Sequence, residues 1–139
     1  MHFAFHARGH PAVSSTHPTT LELTTESRLT RRGDCIVAVR SSASLRDLPE
    51  AMKDALLNQD CRARLTMTVD SHSFVVDGRG APGLTFSHPS DIVVRRSGYV
   101  SDRTLMVLAN RSAADIPRSM LRLLQDPTQK VLVDLMIDS

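Results

Sequence analysis

The sequence has little of what a disulfide-built, base-stacking or membrane-spanning protein needs. It contains two cysteines, Cys35 and Cys61, and no tryptophan, and its aromatic content is 4%. Two thiols are too few for a disulfide framework and show no zinc-ligand spacing, so a reduced compartment, the cytoplasm, is the expected location. So few aromatics, with no interleaved stacking pattern, argue against recognition of nucleic-acid bases by stacking. No apolar run approaches the roughly 20 residues that span a bilayer. The N-terminus is strand-like, without a basic segment leading into an apolar core and a cleavage site, so neither a membrane partner nor secretion is expected. Lysine is also scarce: of 17 basic residues only Lys53 and Lys130 are lysine, and the rest are arginine. A net charge of +2 excludes a dedicated nucleic-acid coat or a membrane-surface polycation.

What is present is enough to build one core. With 139 residues, 41% of them hydrophobic and 23% charged, the chain is expected to fold as one domain.

That domain shows self-similarity. A shift of 71 residues places Arg8-Gly9 on Arg79-Gly80, Pro11 on Pro82 and His17-Pro18 on His88-Pro89. The same shift puts Arg32 on Arg103, Ala38 on Ala109, Arg40-Ser41 on Arg111-Ser112 and Ala43 on Ala114. Removing three residues near position 44 changes the shift to 68, and Asp47, Pro49, Met52, Leu56 and Asp70 then match Asp115, Pro117, Met120, Leu124 and Asp138. Apolar spacing repeats too. Leu65, Met67 and Val69 align with Val133, Leu135 and Ile137 at the period of a half-buried strand. Leu48, Met52, Ala55 and Leu56 align with Ile116, Met120, Leu123 and Leu124, the spacing of one helix face.

Each half therefore predicts three strands, a helix and a final strand: 2–8, 18–25, 34–40, helix 48–59 and 61–70, then 72–79, 90–96, 103–110, helix 116–125 and 129–138. Asp47 and Asp115 stand where helix N-caps belong, with Pro49 and Pro117 in the first turn, where a missing N–H costs nothing. A unit of this size has too little helix to cover its strands. The expected fold is mainly β with two short helices, an internally duplicated pseudo-twofold sandwich or flattened barrel built from repeats 2–70 and 72–138, with partner-facing groups gathered where the copies meet. One helical connection per half argues against a parallel doubly wound sheet.

Three features carry chemistry. The segments Arg8-Gly9-His10-Pro11 and Arg79-Gly80-Ala81-Pro82 read as turns; as function, Arg8 and Arg79 would offer guanidinium forks beside a closely approaching backbone, as a phosphate requires. His17 and His88 each precede a proline at a strand entrance, whereas His10 has no counterpart. His10, His17, Glu22, Asp34 and Cys35 are the candidates for an acid–base or metal-ligand set, although their spacing matches no metal signature and no metal or cofactor is expected. Cys35, opening an apolar run, reads as a small core residue. Finally, Arg28, Arg31 and Arg32 face an equivalent turn with Arg95, Arg96 and Arg103, which would form a cationic patch if the two turns share an end.

The segments Arg8-Gly9-His10-Pro11, Thr16-His17, Thr19-Thr20-Leu21-Glu22, Gly33-Asp34-Cys35-Ile36-Val37, Arg95-Arg96-Ser97-Gly98-Tyr99-Val100 and Arg103-Thr104-Leu105-Met106 make the chain resemble a family of small archaeal proteins, the domain-of-unknown-function family number three hundred and seventy-one. The resemblance covers almost the whole chain. It implies a mainly β, sandwich-type domain, and it implies no reaction.

The first functional expectation is a non-enzymatic module that binds a phosphate-bearing ligand, RNA or a nucleotide, through Arg8, Arg32, Arg79, Arg96 and Arg103 with His10, His17 and His88. The second is an enzyme using His10, His17, Glu22 and Asp34. The third is a structural subunit that docks a protein partner through a strand edge.

Overall fold

In a computed structural model that describes residues 1–29 and 33–138, eight strands form two four-stranded sheets and two seven-residue helices flank them. In chain order the elements are β1 (His2–Arg8), β2 (Thr20–Thr24), β3 (Ile36–Ala38), α1 (Glu50–Leu56), β4 (Arg62–Val69), β5 (His72–Arg79), β6 (Asp91–Arg95), β7 (Thr104–Met106), α2 (Arg118–Leu124) and β8 (Lys130–Asp138). One sheet runs β1-β8-β4-β5 and is antiparallel throughout; the other runs β3-β2-β6-β7, with β2 and β6 antiparallel and each edge strand parallel to its neighbour. The expected mainly β sandwich is thus the fold. The strands pair within two sheets that are joined only by single bridges, so no closed barrel forms among the described residues.

Alternation sets the packing. Along β4, Ala63, Leu65, Met67 and Val69 are buried, and along β8, Val131, Val133, Leu135 and Ile137 are buried. Leu21, Leu23, Ile92 and Val94 meet them from the other sheet in one contiguous core. Met52 and Leu56 of α1 and Met120 and Leu124 of α2 are buried in the same core, side chains whose truncation to alanine typically costs about 2–5 kcal/mol.

Elements follow one another in the same order in 2–69 and 72–138, and both sheets read the same when the halves are exchanged. β2 and β6 start 71 residues apart, Thr20 against Asp91, while β3 and β7 start 68 apart, Ile36 against Thr104. The three-residue change in spacing therefore falls between these strands and not near position 44. Arg40 then corresponds to Leu108, both in the left-handed region at φ 52° and 53°, and the apparent matches of Ala38 with Ala109, Arg40-Ser41 with Arg111-Ser112 and Ala43 with Ala114 have no structural counterpart, while the match of Arg32 with Arg103 falls outside the described residues.

Two other expectations need correction. Asp47 and Asp115 do not cap the helices: each closes a preceding 3-10 turn, accepting the Ser44 N–H at 2.7 Å and the Ser112 N–H at 2.8 Å, and the helices start after Pro49 and Pro117. The third strand of each half is three residues long, not seven or eight, because the chain leaves β2 or β6 and crosses to the other sheet, where Val39 bridges Arg8 and Val107 bridges Arg79.

The helices end against the opposite half. His10 N–H donates to Leu124 O and Ala81 N–H to Leu56 O, each at 2.8 Å, satisfying carbonyls that a helix C-terminus leaves without partners. Gly9 and Gly80 allow that approach: a Cβ on Gly9 would lie 2.5 Å from Leu124 O, and one on Gly80 2.3 Å from Leu56 O. Arg8 donates to Thr128 O at 3.1 Å and Arg79 to Asp60 O at 3.4 Å, placing cations just beyond the C-terminal, negative ends of the helix dipoles. The repeated arginine–glycine pair is thus a clasp between the halves.

No helix among the described residues is long and apolar enough to cross a membrane.

Gly80→Ala, forced against backbone oxygen, is expected to destabilise by about 1–3 kcal/mol. Gly98→Ala, whose Cβ would meet nothing within 4 Å, should stay within about 0.5 kcal/mol of wild type. Chemical denaturation checks both, and equal effects of the two changes would contradict the clasp.

Candidate functional site

β2 and β6 form the central pair of their sheet, and their register sets Thr20 against Arg95, Glu22 against Val93 and Thr24 against Asp91. Leu21, Leu23, Ile92 and Val94 turn to the core, so strand alternation sends Glu22, Thr24, Asp91, Val93 and Arg95 to the other face. That face is also covered: Glu22 is only 3% exposed, Thr24 2%, Val93 1% and Thr104 0%.

A buried carboxylate needs a partner. Arg103, just ahead of β7, reaches across the sheet; its Nη2 donates to Glu22 Oε1 and lies 2.9 Å from Asp91 Oδ2. Asp91 gathers further donors, with Thr24 Oγ1 at 3.0 Å and Ser90 Oγ at 3.4 Å on Oδ1, and His88 Nε2 at 3.9 Å from Oδ2. Arg95 is held alongside by Thr104 Oγ1 at 3.0 Å and Ser101 Oγ at 3.2 Å, with its guanidinium 4.9 Å from the Tyr99 ring centre. Among the described residues the buried Nε of Arg103 has no hydrogen-bond partner.

Two carboxylates thus share one guanidinium nitrogen, and Glu22 is the worse served. Burial, followed by repulsion from Asp91, raises its pKa to about 7 despite the attraction of Arg103 and Arg95. A carboxyl poised there gives or takes a proton under ordinary conditions. Cys35 lies close by, and burial together with the charges of Glu22 and Asp34 pushes its thiol up to about 11. Such a thiol carries no appreciable thiolate at neutral pH, consistent with a packing role.

Among the described residues the cluster is made once. Glu22 N–H donates to Cys35 O at 2.8 Å, and Val93 N–H to Arg103 O at 2.9 Å, so Cys35 and Arg103 occupy corresponding places, as do Glu22 and Val93. Where one half supplies Glu22, the other supplies the reaching arginine and a second carboxylate.

Of the described residues singled out in the sequence, Glu22, Cys35, His88, Arg95 and Arg103 are brought together, and the others are dispersed. Arg8 and Arg79 hold the clasps described above. His17 and His88 are strand-entrance caps: Nδ1 of His17 accepts the Thr19 and Thr20 N–H groups at 3.2 and 3.1 Å, and Nδ1 of His88 accepts those of Ser90 and Asp91 at 3.2 and 2.9 Å. His10 accepts from Ala12 N–H at 3.0 Å within its own turn. Asp34 meets His17 through backbone only, its carbonyl accepting the Thr16 and His17 N–H groups. Arg96 is exposed, its N–H donating to Thr19 O. Arg31 and Arg32 lie outside the described residues.

Asp91, Thr24 and Ser101 were not apparent from the sequence. The available signal was a carboxylate at alternating spacing with Val93 and Arg95, meaningful only once β6 is known to lie beside β2. Among the described residues no group of three or more His, Cys, Asp or Glu is arranged to hold a metal ion.

The family model described as Domain of unknown function (DUF371) matches residues 5–138. The chain is also similar to an uncharacterized protein of Methanocaldococcus jannaschii, 39% identical over 126 residues that make up 91% of this chain and 93% of that relative.

A carboxyl with a folded-state pKa of about 7 instead of 4.5 binds its proton more tightly in the folded protein than in the unfolded chain. Its contribution to stability is complete below the lower value and is lost as the pH rises through the upper one, on the order of 3 kcal/mol. Unfolding free energies of wild type and Glu22→Gln between about pH 5 and pH 8 should diverge in favour of the variant as pH rises. A pH-independent difference would contradict the assignment.

Proposed function

The chain belongs to the DUF371 family, and we propose that its working group is Glu22, a carboxyl that exchanges a proton with a small ligand seated over Arg103 and Asp91. The observation that carries this reading is the Glu22–Arg103–Asp91 cluster, in which a buried and a half-buried carboxylate compete for one cation. Groups with strongly shifted pKa values concentrate at functional sites. Arg103 keeps 39% of its side chain exposed, so the cation that faces Glu22 from below also faces solvent from above. A ligand placed there would meet the Arg103 guanidinium directly, with the Glu22 carboxyl immediately beneath it as the group that gives or takes the proton.

The alternative, binding of a phosphate-bearing ligand such as RNA or a nucleotide, is supported by exposed Arg28 and Arg96. It draws less support from Arg103, whose guanidinium already serves two carboxylates, while Arg8 and Arg79 each give one nitrogen to a carbonyl. We further infer that residues 2–70 and 72–138 derive from one duplicated unit; the recurring order of elements and the left-handed pair Arg40 and Leu108 support this. An archaeal source is supported by the Methanocaldococcus jannaschii relative, and a reduced, cytoplasmic setting by the two free cysteines.

The test is a thermal-shift and turnover screen of small metabolites near pH 6 and pH 8 against wild type, Glu22→Gln and Asp91→Asn. The expected ligand responds to pH across that range, and its turnover falls roughly a hundredfold or more in Glu22→Gln. Hits that Glu22→Gln leaves unchanged, or no hit at either pH, would overturn the acid–base reading.

A further inference from the structure

The outer face of the β1-β8-β4-β5 sheet, remote in function from Glu22, holds a second arrangement that folding alone does not explain. In the β4–β5 register Arg62 stands directly opposite Arg79, and Arg64 opposite Asp77. The latter is a bidentate ion pair, with Arg64 Nε and Nη2 donating to the two Asp77 oxygens at 2.7 and 3.2 Å. The former sets like charges face to face, an arrangement that disfavours the sheet. Asp138 of β8 flanks Arg62 on its other side, so at this end of the face Arg62, Arg64 and Arg79 stand against Asp77 and Asp138.

The same place carries a second unfavourable feature. Leu108 is 60% exposed at φ 53°, a backbone region that costs a residue with a Cβ, and its counterpart Arg40 at φ 52° is polar. Leu108 and half-buried Met136 line a concavity of about 560 Å³ together with Arg62, Arg64 and Arg79 and the carboxylates Asp77 and Asp138. That volume falls within the range of small-molecule sites, and the lining is mainly charged, with Leu108 and Met136 as its large apolar part. Arg79 is fixed in place, its backbone paired in both directions with Val107 and its Nη1 donating to Asp60 O. Exposed apolar surface, opposed arginines and a hollow thus coincide, and residues that work against stability collect where a ligand repays them.

We propose that this hollow binds a small amphiphilic oxyanion, a phosphate monoester with a short apolar chain. The phosphate lies between the Arg62 and Arg79 guanidiniums and cancels their repulsion, because a guanidinium fork matches a tetrahedral oxyanion. The chain covers Leu108 and Met136. Arg64, neutralised by Asp77, forms the wall.

Titration of the ¹⁵N-labelled protein with hexyl phosphate, and separately with inorganic phosphate, distinguishes a built site from general attraction to arginine. Hexyl phosphate is expected to saturate and to shift the amides of residues 62–64, 77–79 and 107–109, binding at least several-fold tighter than inorganic phosphate. Arg62→Gln, an exposed change, should weaken it roughly tenfold. Leu108→Ser should bring hexyl phosphate down to the affinity of inorganic phosphate, and Glu22→Gln should leave both unchanged, separating this outcome from that of the acid–base site. Non-saturating shifts spread over exposed arginines such as Arg28, Arg96 and Arg118, or binding indifferent to Arg62→Gln, would overturn the proposal.

Discussion

Pairing between the halves is the constraint on which the rest depends. β4 lies beside β8, and β2 beside β6, so the centre of each sheet is a junction of one half with the other. Either half alone would present long unpaired edges and an uncovered apolar face, an arrangement that neither water nor its own short helix could satisfy. The smaller contacts run the same way. Ser15 Oγ donates to Ala113 O at 2.6 Å, Arg46 Nε donates to Ser87 O at 2.7 Å, and each arginine–glycine clasp closes on the helix of the other half. Cooperativity follows from this topology: loosening one half exposes the inner edge of the other.

The same junction makes the charged cluster feasible. A carboxylate with 3% exposure would be costly in an ordinary strand position, yet here the opposite half delivers Arg103 to it. It delivers Asp91 as well, and that second carboxylate prevents full compensation. The result is a group held in tension between burial, repulsion and attraction, with its proton balanced near neutrality. Because Val93 and Cys35 stand at the corresponding places, the tension occurs on one side only. A symmetric scaffold with one asymmetric site is what would arise if one unit kept the packing residues and the other was free to change.

Much of the fold is legible in the residues. The alternation of Leu65, Met67 and Val69 and of Val133, Leu135 and Ile137 marks two central strands, and the spacing of Met52 with Leu56 and of Met120 with Leu124 marks the helices. The third strand of each half is legible as an element, but the shortness of β3 and β7 is not, since their parallel pairing is decided by distant partners and leaves no period to read. The place of the spacing change is not legible, because a chain rich in arginine, serine and alanine matches itself by accident, as at Arg40-Ser41 and Arg111-Ser112. Glu22, His88 and Arg103 could be named as candidates, but their meeting depends on the β2–β6 register, which no local signal reveals. His10, His17 and Asp34 have turn and strand-entrance chemistry that resembles site chemistry, and the structure uses them for backbone hydrogen bonds.

The most direct measurement is the carboxyl ¹³C titration of Glu22 by NMR in wild type and in Asp91→Asn. A midpoint near neutrality that drops when the Asp91 charge is removed is the predicted result. A midpoint in the ordinary carboxylate range, indifferent to Asp91→Asn, would show that Glu22 is a plain ion-pair partner of Arg103 and that the proton-exchange account is wrong.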